Sequence, residues 1–152
     1  MVLEWIKEKI KEVANEGRGI VFSGSPRTIY EAEGEIPVLE ELYGKENTKV
    51  LNIEISEEES IKRNSKRRIC KESRHPIPNF PEFEEITKCP KDGSEITTRI
   101  LDNPETIKVR YREYINRTLP IIDFLKKRDY NILEINGEQP IDDVFKDIVS
   151  EL

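Results

Sequence analysis

The chain has 152 residues, 36% apolar and 37% charged, with 25 basic against 31 acidic side chains and a net charge of −6. That length fits one domain with a real core. No apolar run approaches the roughly 18 residues of a membrane-spanning helix, and two cysteines are too few for a disulfide scaffold. The acidic balance argues against broad nucleic-acid binding, though it permits a local basic site for phosphates. The N-terminal residues carry acids and lysines where a secretory signal would be apolar, so a cytoplasmic globular domain is expected.

Leu3, Ile6, Ile10 and Val13 recur at helical spacing and predict a first helix that stops near Gly17. Ile20-Val21-Phe22 then reads as a short buried parallel strand ending at Ser23-Gly24. A helix is expected over 30–42, weakened by Pro37. Val50, Leu51, Ile53 and Ile55 make a second strand. Ser56 and Glu59 then fit a capping box opening a helix to about Arg68. Residues 69–98 read as an irregular insert, with both cysteines, the only histidine, and Pro76, Pro78, Pro81 and Pro90. Asn103-Pro104-Glu105 starts another helix, whose apolar pattern runs to Leu125 through a kink at Pro120. A third strand over 130–135 and a last helix from Ile141 complete the chain. Alternating helices and strands predict an α/β fold with a mostly parallel sheet of about three strands.

Four groups of residues carry chemistry. Ser23-Gly24-Ser25-Pro26-Arg27-Thr28 follows a predicted strand, where loops of open α/β sheets form ligand crevices. Its arginine suits phosphate, and its plain reading is a strand-to-helix turn. Arg63, Arg67 and Arg68 lie before the insert, with Arg63 and Arg67 four apart on one predicted helix face. They suit an anion, or equally a solvated helix end whose dipole favours cations. Arg99 and Arg110 flank the next helix start and say nothing alone. Cys70-Lys71-Glu72-Ser73 and Cys89-Pro90-Lys91-Asp92 have the layout of a metal knuckle. Ser73 is a poor zinc ligand, and His75 is its natural substitute, giving Cys70, His75, Cys89 and Asp92. A metal-free lobe held by hydrogen bonds is the other reading. No Gly-x-x-x-x-Gly-Lys-(Ser/Thr) loop is present, and no nucleophile–base pair is evident.

In this order the pieces resemble the C-terminal two thirds of the adenylate kinase family. Ser23 to Thr28 is similar to the family's Asp-Gly-Phe-Pro-Arg-Thr loop. Lys66-Arg67-Arg68-Ile69-Cys70 resembles its entry into the lid, and Thr97 to Thr106 resembles the lid exit. Cys70 to Asp92 resembles the zinc-bearing lid. Asn136-Gly137-Glu138-Gln139-Pro140-Ile141 resembles the loop near the ATP adenine. The strand, phosphate loop and small AMP lobe that open the family pattern have no counterpart here. Ser23 replaces an aspartate, Ser25 a phenylalanine, and Glu31 the glutamine that reads the AMP adenine.

The resemblance implies phosphoryl transfer from ATP to AMP giving two ADP, with Mg²⁺ carried on ATP and zinc in the lid. Gly24, Ser25, Pro26, Arg27 and Glu31 would line the AMP site, closed by Arg99 and Arg110. Arg63, Arg67 and Gln139 would hold ATP. Arg27, Arg63, Arg67, Arg99 and Arg110 would form the catalytic cation set. Cys70, Ser73, His75, Cys89 and Asp92 would be the metal group. Residues 69–98 would be the lid on a core of 1–68 and 99–152. A nucleotide-binding or regulatory module, or one half of a split kinase served by a phosphate-loop partner, is the alternative. No nucleic-acid or membrane partner is expected.

Overall fold

The computed structural model describes residues 2–77 and 83–152, so Pro78 and Pro81 of the insert lie outside the described residues. The chain divides into two compact units, Met1–Glu54 with Glu113–Leu152, and Ile55–Arg112.

In the first unit, helix α1 (Val2–Asn15) buries Leu3 and Ile10 from the predicted stripe. It stops as expected, with Gly17 N–H bonded to the Ala14 carbonyl and Arg18 N–H to that of Val13. Helix α2 (Ile29–Tyr43) opens on a capping box in which Thr28 and Glu31 satisfy each other's backbone N–H groups. It continues past Pro37 because Ile36, Val38 and Leu39 on either side of the proline are buried. Strand β1 (Val50–Glu54) pairs in parallel with β5 (Ile132–Asn136), in the register Val50↔Ile132 to Glu54↔Asn136. Helix α6 (Ile141–Glu151) packs against β5. The core gathers Ile10, Ala32, Ile36, Val38, Leu39, Ile121, Leu125 and Tyr130.

Two expectations are corrected here. Residues 20–22 form no strand among the described residues, so the parallel sheet has two strands rather than three. Ile20 and Phe22 still pack on the core, but Val21 is 95% exposed. The segment has the side-chain alternation of a strand without a ladder partner. The long helix through Pro120 is also divided. Helix α4 (Pro104–Glu113) is followed by a π turn, Tyr114–Thr118, and then by α5 (Pro120–Lys127). Leu119 N–H reaches back five residues to the Tyr114 carbonyl, at 2.9 Å. Proline cannot bond the carbonyl four residues earlier and crowds it, so the widened turn falls just ahead of Pro120.

The second unit begins with helix α3 (Glu57–Ser65), capped by the Ser56 hydroxyl. It ends at Ser65 rather than Arg68, because the chain turns at Lys66 into strand β2 (Arg68–Cys70). Arg67 is therefore off the helix and does not share a helical face with Arg63. Strand β2 pairs antiparallel with β3 (Pro76–Ile77) and β4 (Ile96–Thr98). The insert thus contains a small sheet where an irregular lobe was expected. Short ladders that bury Ile69, Cys70 and Ile77 are compatible with its proline content, since Pro76 sits on a strand at the sheet's edge. No helix of the described residues is long and apolar enough to cross a membrane.

Candidate functional site

In the first unit, the Ser23–Thr28 loop is stitched to α2 and to the π turn. Gly24 takes φ +91°, a conformation open to glycine, and an added Cβ would lie 2.7 Å from the Arg27 guanidinium. Arg27 Nε donates to the Gly24 carbonyl at 2.6 Å, its amide donates to Glu31 at 2.6 Å, and its carbonyl accepts from Thr118 at 2.9 Å. The exposed Arg27 head is thus carried on a backbone fixed from both sides. Glu31 holds the amides of Arg27 and Thr28. Ser25 donates to the buried Glu35 at 2.8 Å, and the Ser25–Pro26 peptide is cis. The 137–140 loop follows β5, anchored by Gly137 N–H on the Glu54 carbonyl, and Gln139 donates to Asp147.

In the second unit, Asp102 is the organising group. Its side chain is 2% exposed and takes a two-pronged grip from Arg67, with Nε and Nη2 each at 2.9 Å. Arg110 approaches the same carboxylate at 3.6 Å. Two of the five arginines named from sequence therefore share one buried acid. Arg63 instead pairs with Glu59 at 2.6 Å, and Arg63 with Lys62 holds the Glu59 carboxyl below its ordinary pKa. The Arg99 carbonyl closes the turn that presents the Asp102 amide. Arg68 is structural, since its guanidinium donates to the carbonyls of Phe83 and Ile86. Asp102 was missed by sequence reasoning.

The insert closes on a cluster of donors. Cys70 Sγ, a His75 ring nitrogen, Cys89 Sγ and an Asp92 oxygen all lie within 4.8 Å of one another. Tetrahedral zinc takes four such nitrogen, sulfur and oxygen ligands, so this donor set fits the ion in identity and number. Two tight hooks present the ligands. Arg74 N–H bonds the Cys70 carbonyl in one, and Gly93 N–H bonds the Cys89 carbonyl in the other. Ser73 links the set, its hydroxyl lying 3.0 Å from Cys70 Sγ, 2.6 Å from His75 Nδ1 and 2.7 Å from Asp92. His75 Nε2 is 2.8 Å from Cys89 Sγ, and Ser94, which sequence reasoning passed over, bonds both Cys70 and Asp92. Hydrogen bonds from Ser94 and Ser73 hold the Asp92 carboxyl well below the usual carboxylate range. Burial pushes both thiols up. It prevails at Cys89, whereas Ser73 and Ser94 outweigh it at Cys70 and bring that thiol down.

No protein-family model matches the chain. The chain is 36% identical over 146 residues to an adenylate kinase of Bacillus subtilis strain 168, covering 94% of this chain and 65% of that protein. It is 36% identical to an adenylate kinase of Caldicellulosiruptor bescii, covering all of this chain and 70% of that one. It is 34% identical to an adenylate kinase of Archaeoglobus fulgidus, covering 97% and 67%. The chain thus spans about two thirds of the length of these relatives, and as little as 65%. With relatives 34–36% identical over 94–100% of its length, this chain belongs to the adenylate kinase family.

Proposed function

We propose that the chain serves phosphoryl transfer from ATP to AMP, giving two ADP. The observation that carries this reading is the gathering of Arg67 and Arg110 on the buried Asp102, within a chain of this family. Phosphoryl transfer asks little covalent work of a protein. The bond from the γ-phosphorus to its bridging oxygen breaks while an AMP phosphate oxygen bonds the phosphorus, and catalysis is positioning plus charge stabilisation. Arg63 and Arg67 would hold the ATP phosphates, and Asp102 would keep the Arg67 fork set before substrate arrives. Arg27 would grip the AMP phosphate beside Gly24, Ser25, Pro26 and Glu31. Arg99 and Arg110 would close on the transferred group, with Gln139 near the ATP adenine. Mg²⁺ arriving with ATP would neutralise phosphate charge.

Residues 69–98 would act as a lid that excludes water, on a core of 1–68 and 99–152. Zinc held by Cys70, His75, Cys89 and Asp92, with Ser73 bridging, would tie the lid's two hooks. The test is ADP formation from ATP, AMP and Mg²⁺ by the purified chain, beside Arg67→Ala. Turnover in the native chain and its loss in the variant supports the reading. A folded chain without turnover contradicts it.

A second reading has one feature in its favour. Strand β1 of the two-stranded parallel sheet carries Leu51 and Ile53 at 38% and 49% exposure, where parallel sheets are usually covered on both faces. A nucleotide-binding or regulatory module, or a split kinase completed by a phosphate-loop partner, would place another chain there. Inactivity alone, with turnover restored by a phosphate-loop polypeptide, identifies the split form.

A further inference from the structure

Glu35 is an acid where folding asks for an apolar residue. It is 0% exposed, on the core face of α2 between the buried Ala32 and Ile36. Its Oε1 accepts from the Ser25 hydroxyl at 2.8 Å, and its Oε2 is buried without a hydrogen-bond partner. Among the described residues no lysine or arginine forms an ion pair with it. Glu31, four residues earlier on the same helix, adds a like charge. A buried, half-satisfied carboxyl disfavours folding. Acids one turn apart on α2 fasten the same loop, Glu31 through the Arg27 amide and Glu35 through Ser25, two residues before that arginine.

We propose that Glu35 is a positioning residue, latching Ser25 so that the loop presents Arg27 to the phosphate of a nucleoside monophosphate. This rests on the AMP-site reading above. The latch sacrifices stability for a fixed loop, as functional sites often do. Its atoms need not touch the nucleotide.

The test compares the full native chain with Ser25→Ala, Glu35→Gln and the double variant Ser25→Ala/Glu35→Leu. The measurements are AMP and MgATP affinity by calorimetry, melting temperature, and exchange of the Arg27 amide. The double variant is expected to melt no lower than native yet bind AMP about tenfold more weakly, the upper range for one lost hydrogen bond. MgATP affinity should be unchanged. Ser25→Ala, the smallest change, should lose AMP affinity alike, and Glu35→Gln, which keeps an acceptor for Ser25, should retain it. AMP affinity within twofold of native in both Ser25→Ala and the double variant overturns the proposal, as does an equal loss for both nucleotides. A native chain that binds no AMP defeats the AMP-site reading instead. The latch then stands if Arg27 amide exchange quickens in Ser25→Ala and falls if exchange is unchanged.

Discussion

The two units are held together by different physics. In the first, Ile10, Ile36, Leu39, Ile121 and Leu125 form an apolar cluster drawn from three helices. In the second, apolar burial is sparse, chiefly Ile69, Ile77 and Ile107, and polar groups do the joining. Arg67 clasps Asp102, Arg68 caps carbonyls, and Cys70, His75, Cys89 and Asp92 converge. An apolar core resists ions, pH and chelators, whereas a unit closed by charges and thiols responds to all three. The proposed chemistry would use both behaviours: a rigid base for a monophosphate loop and a lid that answers to its ligands.

The sharpest way to break the comparison is Leu125→Ala. Truncating this buried side chain should cost about 2–5 kcal/mol, read by denaturant unfolding, and amide exchange should quicken throughout the first unit. Next comes the metal. Zinc at a hundred times its Kd should stabilise the second unit by about 2.7 kcal/mol, and chelation should reverse this while the first unit's exchange stays unchanged. A chelator effect on both units alike would erase the distinction. Asp102→Ala should follow at about 2 kcal/mol, since it strands a partly exposed arginine rather than a deeply buried one. It should also depress turnover with Arg67 still present.

The smallest effect belongs to Glu35, the one buried acid of the first unit among the described residues. Burial raises the Glu35 pKa above its ordinary 4.5, with the Ser25 hydrogen bond opposing and the Glu31 charge adding to it. Between the unfolded and folded pKa values the native state binds the extra proton. Stability must therefore fall as pH rises through that window. Glu35→Gln should flatten the fall and stabilise the chain by about 1 kcal/mol at neutral pH, with no gain below the unfolded pKa. Thermal melts of both proteins across pH 3–8 check this.

Much of this was legible in sequence, and the failures share a cause. The stripe Leu3-Ile6-Ile10-Val13 and the cap at Ser56 are local, so they could be read directly. The Cys70–Asp92 pattern was legible because two hooks at metal spacing carry their own geometry. Residues 20–22 misled because a strand exists through its neighbour, which local pattern cannot supply. Arg67 was placed on a helix because charge spacing does not reveal that α3 yields to the β2 ladder. Asp102 and Glu35 were invisible because burial of an acid depends on what folds over it.

The most direct test of the central account is amide exchange of the native chain with each nucleotide in turn. AMP should slow exchange in 24–31 of the first unit, and MgATP should slow it in 63–70 of the second, each leaving the other segment's rate largely as it was. Protection of neither segment, with the protein folded, would contradict a nucleotide site built on these arginines.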